Sequence, residues 1–488
     1  MSRIPSVRLQ VLNEAPINPK GEFVLYWMLA NRRTTWNFSL ERAVEWSREL
    51  DKPLLLLETL HCWHGWANDR MASFAVEGMV DTAKRLEGSA ACYYPYVEPV
   101  LGEAQKLLKA LADRTCVVVT DEFPTSVVPS LAADAARSLS IRLEQVDSNG
   151  LLPLRATNQV FPTAHSFRRF LQRTLPAELD QFPKANPLAK IRLRPLRKIP
   201  NEVRRKWPTA SDRLLRGDGN MLASLPIGHS VSPVSTRGGA KAAQAALRRF
   251  LKERLTRYPE ERNQPEEEVV SGLSPYLHFG HISAHDIFTQ LMAHENWKKS
   301  RLASRATGGR SGWWRASPAA EAFLDQLITW REVGYNMCSK RTDYDKYESL
   351  PEWARKTLAE HRSDPRIPLY DLEDFEAGRT HDDLWNAAQM QLVREGRLHN
   401  YLRMLWGKKI LHWSASPQEA LAIMIELNNK YALDGQNPNS YSGIFWILGR
   451  YDRPWGPVRP IFGSVRYMSS ENTARKVRVK DYIRKYAP

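Results

Sequence analysis

The first 150 residues alternate between two periodicities, and this alternation limits the fold more than any other feature of the chain. "FVLYWM" (23–28), "PLLLLE" (53–58) and "CVVVT" (116–120) are short continuous apolar runs, the pattern of strands buried on both faces. Between them lie amphipathic stretches with helical spacing, "SLERAVEWSREL" (39–50) and "EAQKLLKALADR" (103–114), and "SLSIRLEQVD" (138–147) closes the series. Such alternation implies a parallel sheet with flanking helices, an α/β fold. No G-x-G-x-x-G follows the first strand, so a standard dinucleotide site is not indicated. Residues 176–235 are rich in Pro, Arg and Gly and read as a surface connector. From about 236 the pattern is helical nearly to the end, as in "AKAAQAALRRFLKERL" (240–255) and "PQEALAIMIELNNKYAL" (417–433). The expected organisation is an α/β domain over 1–175, a basic linker over 176–235 and an all-α domain over 236–488.

Bulk properties narrow the class. A chain of 488 residues exceeds what one compact core fills, and 43% hydrophobic with 25% charged residues describes a soluble globular protein. No early apolar run resembles a signal peptide and no stretch approaches a membrane span. Cys62, Cys92, Cys116 and Cys338 lie far apart without a Cys-x-x-Cys pair, a reduced intracellular pattern. The expected location is cytoplasmic, nucleoid-associated in a bacterium, and the expected state is a monomer.

The net charge of +16 points to a polyanionic partner. Two stretches concentrate it: residues 184–216 hold eleven Lys or Arg, and residues 297–320, "WKKSRLASRATGGRSGWWRASPAA", hold six and no acid. Cations interleaved with Trp297, Trp313 and Trp314 suit phosphate contact with base or sugar stacking, and equally suit a solvated flexible loop.

Several chemistries drop out. His278, His281 and His285 have helical spacing, but no carboxylate or Cys partner is evident beside them. His61, Cys62 and His64 likewise lack a second ligand pair, so no metal site is expected. There is no P-loop and no G-x-S-x-G elbow. What remains is sixteen tryptophans with polar residues set among them. Ser271 and Ser274 flank Gly272 and Leu273 ahead of a helix and could hold a diphosphate through hydroxyl and backbone donors. Asn428, Asn429 and Asp434 precede a Gly/Asn/Pro turn. Such residues also cap helices and form turns. In "GRLHNYLRMLWGKKILHW" (396–413), Trp406 and Trp413 are seven residues apart and share one helix face, with Trp385 a further 21 residues upstream. Three spaced indoles can be core, or a relay for electrons.

Taken together, these pieces resemble the photolyase/cryptochrome family, and specifically class II cyclobutane pyrimidine dimer photolyases. The matching segments are "LSPYLHFGHIS", "AFLDQLITWREVGYNMC", "YDLEDFEAGRTHDDLWNAAQM", "YLRMLWGKKILHW", "LNNKYALDGQNPNSYSGIFW" and "DRPWG…IFGSVRYMS", in order through residues 258–470. "VLYWMLANRRTTWN" resembles the family's first strand and loop.

The resemblance implies an α/β domain that in the family sometimes holds a deazaflavin or folate-type antenna, followed by a helical domain holding U-shaped FAD. By motif position it implies that Tyr258 and the run Val270, Ser271, Gly272, Leu273 and Ser274 touch the flavin nucleotide. Arg403 and Asp434, followed by Gly435, then flank the isoalloxazine, and the Asn428 carbonyl accepts a hydrogen bond from flavin N5–H. Trp385, Trp406 and Trp413 fall at the electron-transfer tryptophans, with Trp406 as the middle indole. Trp330 and Trp446 line the pocket for a flipped-out dimer, with Met404 beside them. Arg262, Arg453, Trp455 and Arg466 match positions facing the backbone of UV-damaged DNA, double- or single-stranded, or filling the emptied stack.

Two departures from the family pattern stand out. Where the family sets a glutamate four residues before the pocket tryptophan, this chain has Gln326, which donates through its NH2 but carries no transferable proton. Residues 297–320 form an insertion. The reading is a light-dependent DNA lyase that splits cyclobutane dimers. Its rivals are a lesion range widened to (6-4) photoproducts, a cryptochrome-like photoreceptor without repair, and a purely structural DNA-binding protein.

Overall fold

The computed structural model describes residues 3–62, 65–196, 198–216 and 222–488; His64, Arg197 and the connector residues 217–221 lie outside the described residues. The chain divides into two compact units. One comprises Met1–Asn158, Thr174–Arg248 and Gly272–Asn296; the other comprises Gln159–Arg173, Arg249–Ser271 and Trp297–Pro488.

The first unit is built on a six-stranded sheet. Its strands are β1 (Leu9–Val11), β2 (Phe23–Met28), β3 (Leu54–Leu60), β4 (Cys92–Val97), β5 (Thr115–Asp121) and β6 (Leu143–Val146). They lie in the order β1-β6-β5-β2-β3-β4, all parallel except β1, which runs antiparallel to β6 at one edge. The apolar runs seen in the sequence are β2, β3 and β5, the inner strands, and every residue of β2 and β5 is buried. Helices α1 (Phe38–Glu49), α2 (Asp69–Leu86), α3 (Glu103–Ala112) and α4 (Val128–Ser138) connect the strands. Asn37 and Asn68 cap α1 and α2, each side chain accepting a backbone N–H in the first turn.

Strand order reverses between β2 and β5, where open α/β sheets commonly bind ligands. Here Asp121 at the end of β5 occupies that point. Its Oδ2 accepts the backbone N–H groups of Leu29, Ala30 and Asn31, each at 2.9 Å, and its Oδ1 accepts from the Tyr26 hydroxyl at 2.8 Å. A carboxylate thus takes the donors that a glycine loop would offer to a phosphate. The described part of the connector carries two short helices, Asn201–Lys206 and Asp212–Leu215, which lie against α3 and α2.

The histidine row of the sequence is packed into this unit. His281 stacks on Phe74 at 5.2 Å, and His285 meets Phe38 edge-on at 5.5 Å. The Gly239 N–H donates to His281 Nδ1 at 2.9 Å, which places the ring proton on Nε2, and a Cβ on Gly78 would sit 2.2 Å from that atom. Burial, then the charges of Arg32, His278 and Arg33, push the imidazole down to about 3. Between that value and the free-histidine value of about 6.5, the unfolded chain binds a proton that the folded one does not. Stability contributed here is therefore present above pH 6.5 and lost as pH falls toward 3. Guanidinium midpoints measured across this range should fall more steeply for wild type than for His281→Gln.

The second unit is helical. Helix Arg331–Lys340 lies against Pro438–Ile447, Asn400–Trp413 against Pro417–Tyr431, and Asp383–Glu395 against the terminal helix Lys480–Tyr486. Two segments, Phe250–Arg254 and Asp325–Trp330, are π-helical, a geometry that recurs at functional sites.

Candidate functional site

Helix Pro438–Ile447 organises the site. Asn437 caps it by accepting the Asn439 N–H at 2.9 Å, and Pro438 occupies the first turn. Two glycines let neighbouring helices approach it closely, one at its backbone and one at a side chain. A Cβ on Gly334 would lie 2.8 Å from the Pro438 carbonyl oxygen and 2.6 Å from Ser442 Oγ. A Cβ on Gly407 would lie 2.0 Å from Ile447 Cδ1. No other residue fits at either position without a shift.

Ser440, Gly443 and Trp446 follow one another at three-residue steps along this helix and share a face. At the first step, Ser440 Oγ accepts from Asn428 Nδ2 at 2.8 Å. The other Asn428 amide proton goes to Asn429 Oδ1 at 3.2 Å. Asn429 cannot reverse that bond, because its Oδ1 also accepts the Gln436 N–H at 2.9 Å while its Nδ2 donates to Tyr441 OH at 3.3 Å. The orientation of Asn428 is therefore fixed. Both amide protons are used, and its Oδ1, in a buried residue, has no donor among the described residues. At the second step, Gly443 leaves room beside Arg403, whose Cδ would be 3.8 Å from an added Cβ. Arg403 Nη2 faces Asp434 Oδ1 at 3.8 Å, both side chains 15% exposed. An orphan carbonyl acceptor and a cation set against one helix face, with an anion facing the cation, fit a flat heterocycle with an N–H edge and a carbonyl edge, as flavin is. Gly435 is closely packed, an added Cβ falling 3.1 Å from the Asn428 backbone oxygen.

The third step reaches the indole pair. Trp330 and Trp446 lie with ring centroids 5.4 Å apart at 40°, both half-buried. Trp330 ends the π-helical segment that begins at Asp325. Gln326 on that segment is half-buried, and its amide has no hydrogen-bond partner among the described residues. Met404, adjacent to Arg403, is also half-buried. Two half-buried aromatic faces with a free amide one turn before the first are suited to a stacked, neutral, carbonyl-bearing base.

The three candidate relay indoles are all buried, at 0%, 1% and 2% exposure for Trp385, Trp406 and Trp413. Trp385 Nε1 donates to the Trp406 carbonyl at 2.9 Å, and the Trp385 ring meets the Trp413 ring edge-on at 6.0 Å. Trp385 is thus the residue in contact with both others, through the Trp406 main chain and the Trp413 ring, whereas the sequence reading puts Trp406 in the middle. Trp406 Nε1 donates to Gln389 Oε1 at 2.9 Å. Around Trp413 stand Lys409, with its ammonium 5.0 Å from the ring centroid and 3.2 Å from Asp382 Oδ2, and the exposed His381, with its ring at 4.9 Å.

Tyr258 is buried against Phe250 and Phe323, with the Arg262 guanidinium 5.7 Å from its ring. Val270 accepts from Arg254 Nη1 at 3.0 Å. Gly272 has φ +67° with open space where a Cβ would stand, Leu273 is buried, and the exposed Ser274 opens the short helix Ser274–His278. Tyr258, Val270 and Ser271 belong to the second unit; Gly272, Leu273 and Ser274 belong to the first. Trp455 is 36% exposed and carries guanidiniums at 4.8 Å (Arg453) and 5.0 Å (Arg466). Its Nε1 donates to Asp452 Oδ1 at 3.1 Å. An exposed indole flanked by two cations is suited to stacking beside phosphates.

Ser440, Gly443 and Gln389 carry no signal in the sequence that marks them as site residues, and Asn429 is marked there without a role of its own. Asn429 stands beside Asn428 in the same motif, but only the geometry shows that it sets the direction of its neighbour's amide. Among the described residues, no group of three or more His, Cys, Asp or Glu is placed to hold a metal ion, and no helix is long and apolar enough to cross a membrane.

No family model matches the chain. Full-length relatives do. The chain is 33% identical over 485 residues to the deoxyribodipyrimidine photo-lyase of Methanothermobacter thermautotrophicus, covering 98% of both proteins. It is 31% identical over 490 residues to that of Arabidopsis thaliana, covering 98% of this chain and 92% of the relative. Among solved structures, a bacterial class III photolyase from Agrobacterium tumefaciens aligns with a TM-score of 0.64 at 16% identity, over 96% of this chain and 86% of that one, a likeness of fold. Relatives matched end to end above 30% identity leave one conclusion: the chain belongs to the deoxyribodipyrimidine photo-lyase family.

Proposed function

We propose that this chain is a light-driven DNA lyase that binds FAD in its helical unit and splits cyclobutane pyrimidine dimers in UV-damaged DNA. The observation that carries the reading is the face of helix Pro438–Ile447. Six residues separate Ser440 from Trp446, roughly 9 Å of helix axis at about 1.5 Å per residue, so the candidate cofactor contacts and the indole pair are held at a short, fixed separation. Bound FAD would supply the light absorption and the electron that opens the cyclobutane ring. The chain's own residues do the rest. Asn428 presents a fixed acceptor, Arg403 and Asp434 flank the ring system, and Trp330 and Trp446 receive the extruded dimer. A lesion with broken stacking costs less to extrude than a normal pair. Gln326 offers a neutral N–H donor to a pyrimidine carbonyl, and Arg453, Trp455 and Arg466 hold the strand. An antenna of deazaflavin or folate type, in this reading, belongs to the first unit.

The direct test is repair of defined thymine-dimer and (6-4) oligonucleotides in light and in darkness. Light-dependent reversal of the thymine dimer is the expected result; flavin photochemistry without repair would leave the photoreceptor reading. The purified protein should carry close to one noncovalent FAD per chain, measured by absorbance after denaturation. A colourless preparation that also fails to take up added FAD would end the proposal.

Gln326 favours a second reading on one point, lesion choice. A glutamate there would be partly protected from water, which raises a carboxyl pKa and makes its donor form pH-dependent. The amide is neutral throughout. Repair yield should therefore vary little between about pH 6 and 9, the window in which a raised carboxyl would titrate. Gln326→Glu should introduce a pH-dependent yield and alter the ratio of thymine-dimer to (6-4) repair. Identical pH profiles for both proteins on both lesions would remove residue 326 from the substrate pocket.

A further inference from the structure

The sequence of residues 297–316 interleaves cations with tryptophans, and the structure separates the two. Trp313 and Trp314 are 5% and 8% exposed and pack edge-on at 4.7 Å. Trp297 meets Trp314 at 5.9 Å and donates from Nε1 to its carbonyl at 2.6 Å. Trp313 and Trp314 thus form an internal cluster withdrawn from any stacking role, with the half-buried Trp297 against its edge. Lys298, Arg301, Arg305, Arg310 and Arg315 are all exposed, and none has an acidic partner among the described residues. No Asp or Glu occurs between Glu295 and Glu321.

The loop is also tied down. Helix α5 (Ala164–Glu178) holds it from beneath: Gln172 accepts the Gly308 N–H at 2.7 Å and donates to the Gly309 carbonyl at 3.1 Å. Gly308 has φ +79°, and a Cβ there would fall 3.0 Å from the His165 backbone oxygen, so this close approach requires glycine. Arg168 donates to the Gly308 carbonyl at 3.2 Å and to Asp325 Oδ1 at 2.8 Å. One buried guanidinium therefore joins the loop to the π-helical segment that carries Gln326 and Trp330. A spacer needs neither an indole core nor a fixed turn. This loop uses both to hold five exposed like charges together, a concentration of positive charge that a polyanion outside would complement.

We propose that residues 298–315 form a second DNA-contacting surface, one that binds the phosphodiester backbone and reads no base. The proposal rests on the reading of the chain as a DNA-repair enzyme. Because its cations contact phosphate and its aromatic rings are buried, the loop adds affinity equally to damaged and undamaged DNA and adds nothing to discrimination between them.

The test compares FAD-loaded wild type with a variant carrying Arg301→Gln, Arg305→Gln, Arg310→Gln and Arg315→Gln, all on exposed side chains. Binding of a thymine-dimer duplex and its undamaged twin is measured between 50 and 300 mM salt, a range of roughly the span over which counterion release is read. The slope of log K against log salt should shrink by about 0.9 for each phosphate that the variant no longer neutralises, and low-salt affinity should fall about tenfold or more by the same factor for both duplexes. An unchanged slope overturns the proposal. So does weakening confined to the damaged duplex, which would place the arginines in lesion recognition. Wild type is assayed for light-dependent repair in parallel: failure there condemns the functional reading, whereas repair with an unchanged slope condemns the loop alone.

Discussion

Trp385→Phe should abolish light-driven reduction of bound oxidised FAD while leaving dimer splitting by chemically reduced protein intact. The reason lies in connectivity. Trp385 hydrogen-bonds the Trp406 carbonyl and touches the Trp413 ring, so a hole moving between those two indoles passes through it. Phenylalanine fills much of the same volume but is far harder to oxidise than an indole. The fold should survive, because the substitution removes one buried hydrogen bond and a little volume, about 1–2 kcal/mol in total. Trp406→Phe should have the same effect on photoreduction, and there the bond to Gln389 is the one removed. Steady-state illumination with a mild external donor, followed by absorbance, measures the first quantity. Repair after dithionite reduction measures the second. If both variants photoreduce like wild type, these indoles are packing and nothing more.

Removing the pocket indoles should act on the opposite step. Trp446→Ala and Trp330→Ala each take away one stacking face from a dimer outside the duplex, and stacking on an aromatic is worth about 1–3 kcal/mol per base. Affinity for a thymine-dimer duplex should fall about tenfold to a hundredfold in either variant, since about 1.4 kcal/mol is a factor of ten. Affinity for undamaged duplex should hardly change, because it rests on phosphate contacts. Both rings are half-buried, so thermal stability should suffer less than it would for a core tryptophan. Titration of labelled damaged and undamaged duplexes gives both numbers, and equal weakening on both would show that the pair supports the fold and not the lesion.

How much of this was legible in the chain depended on whether a residue's role is local. β2, β3 and β5 were readable because inner parallel strands must be apolar on both faces. β4 was not, since "CYYPYV" carries a proline that central strands exclude; it is tolerated because β4 is an edge. β1 has only three residues, too few for any period to show. The π-helical turn before Trp330 left no sequence signal, although it sets where Gln326 points. The positions of Asn428, Trp330 and Trp446 were reached through family resemblance, and their chemistry alone would not have assigned them. The tryptophans of the insertion show the reverse limit. Composition suited stacking rings and a solvated loop equally, and the structure buries Trp313 and Trp314 as the loop's own core.

Electron transfer weakens steeply with distance, which gives Gly334 and Gly407 a significance beyond packing. Gly334 brings its helix onto the Pro438 carbonyl and Gly407 brings its helix onto the Ile447 side chain, so the helix that runs from Ser440 to Trp446 is held by two close neighbours, and with it the proposed gap between donor and acceptor. On the proposed reading, side chains that meet the lesion, Gln326 among them, can change what is repaired without changing how far the electron travels. Lesion choice and photochemical yield would then be separately heritable, the first through residues that meet the substrate and the second through the packing of two glycines against one helix.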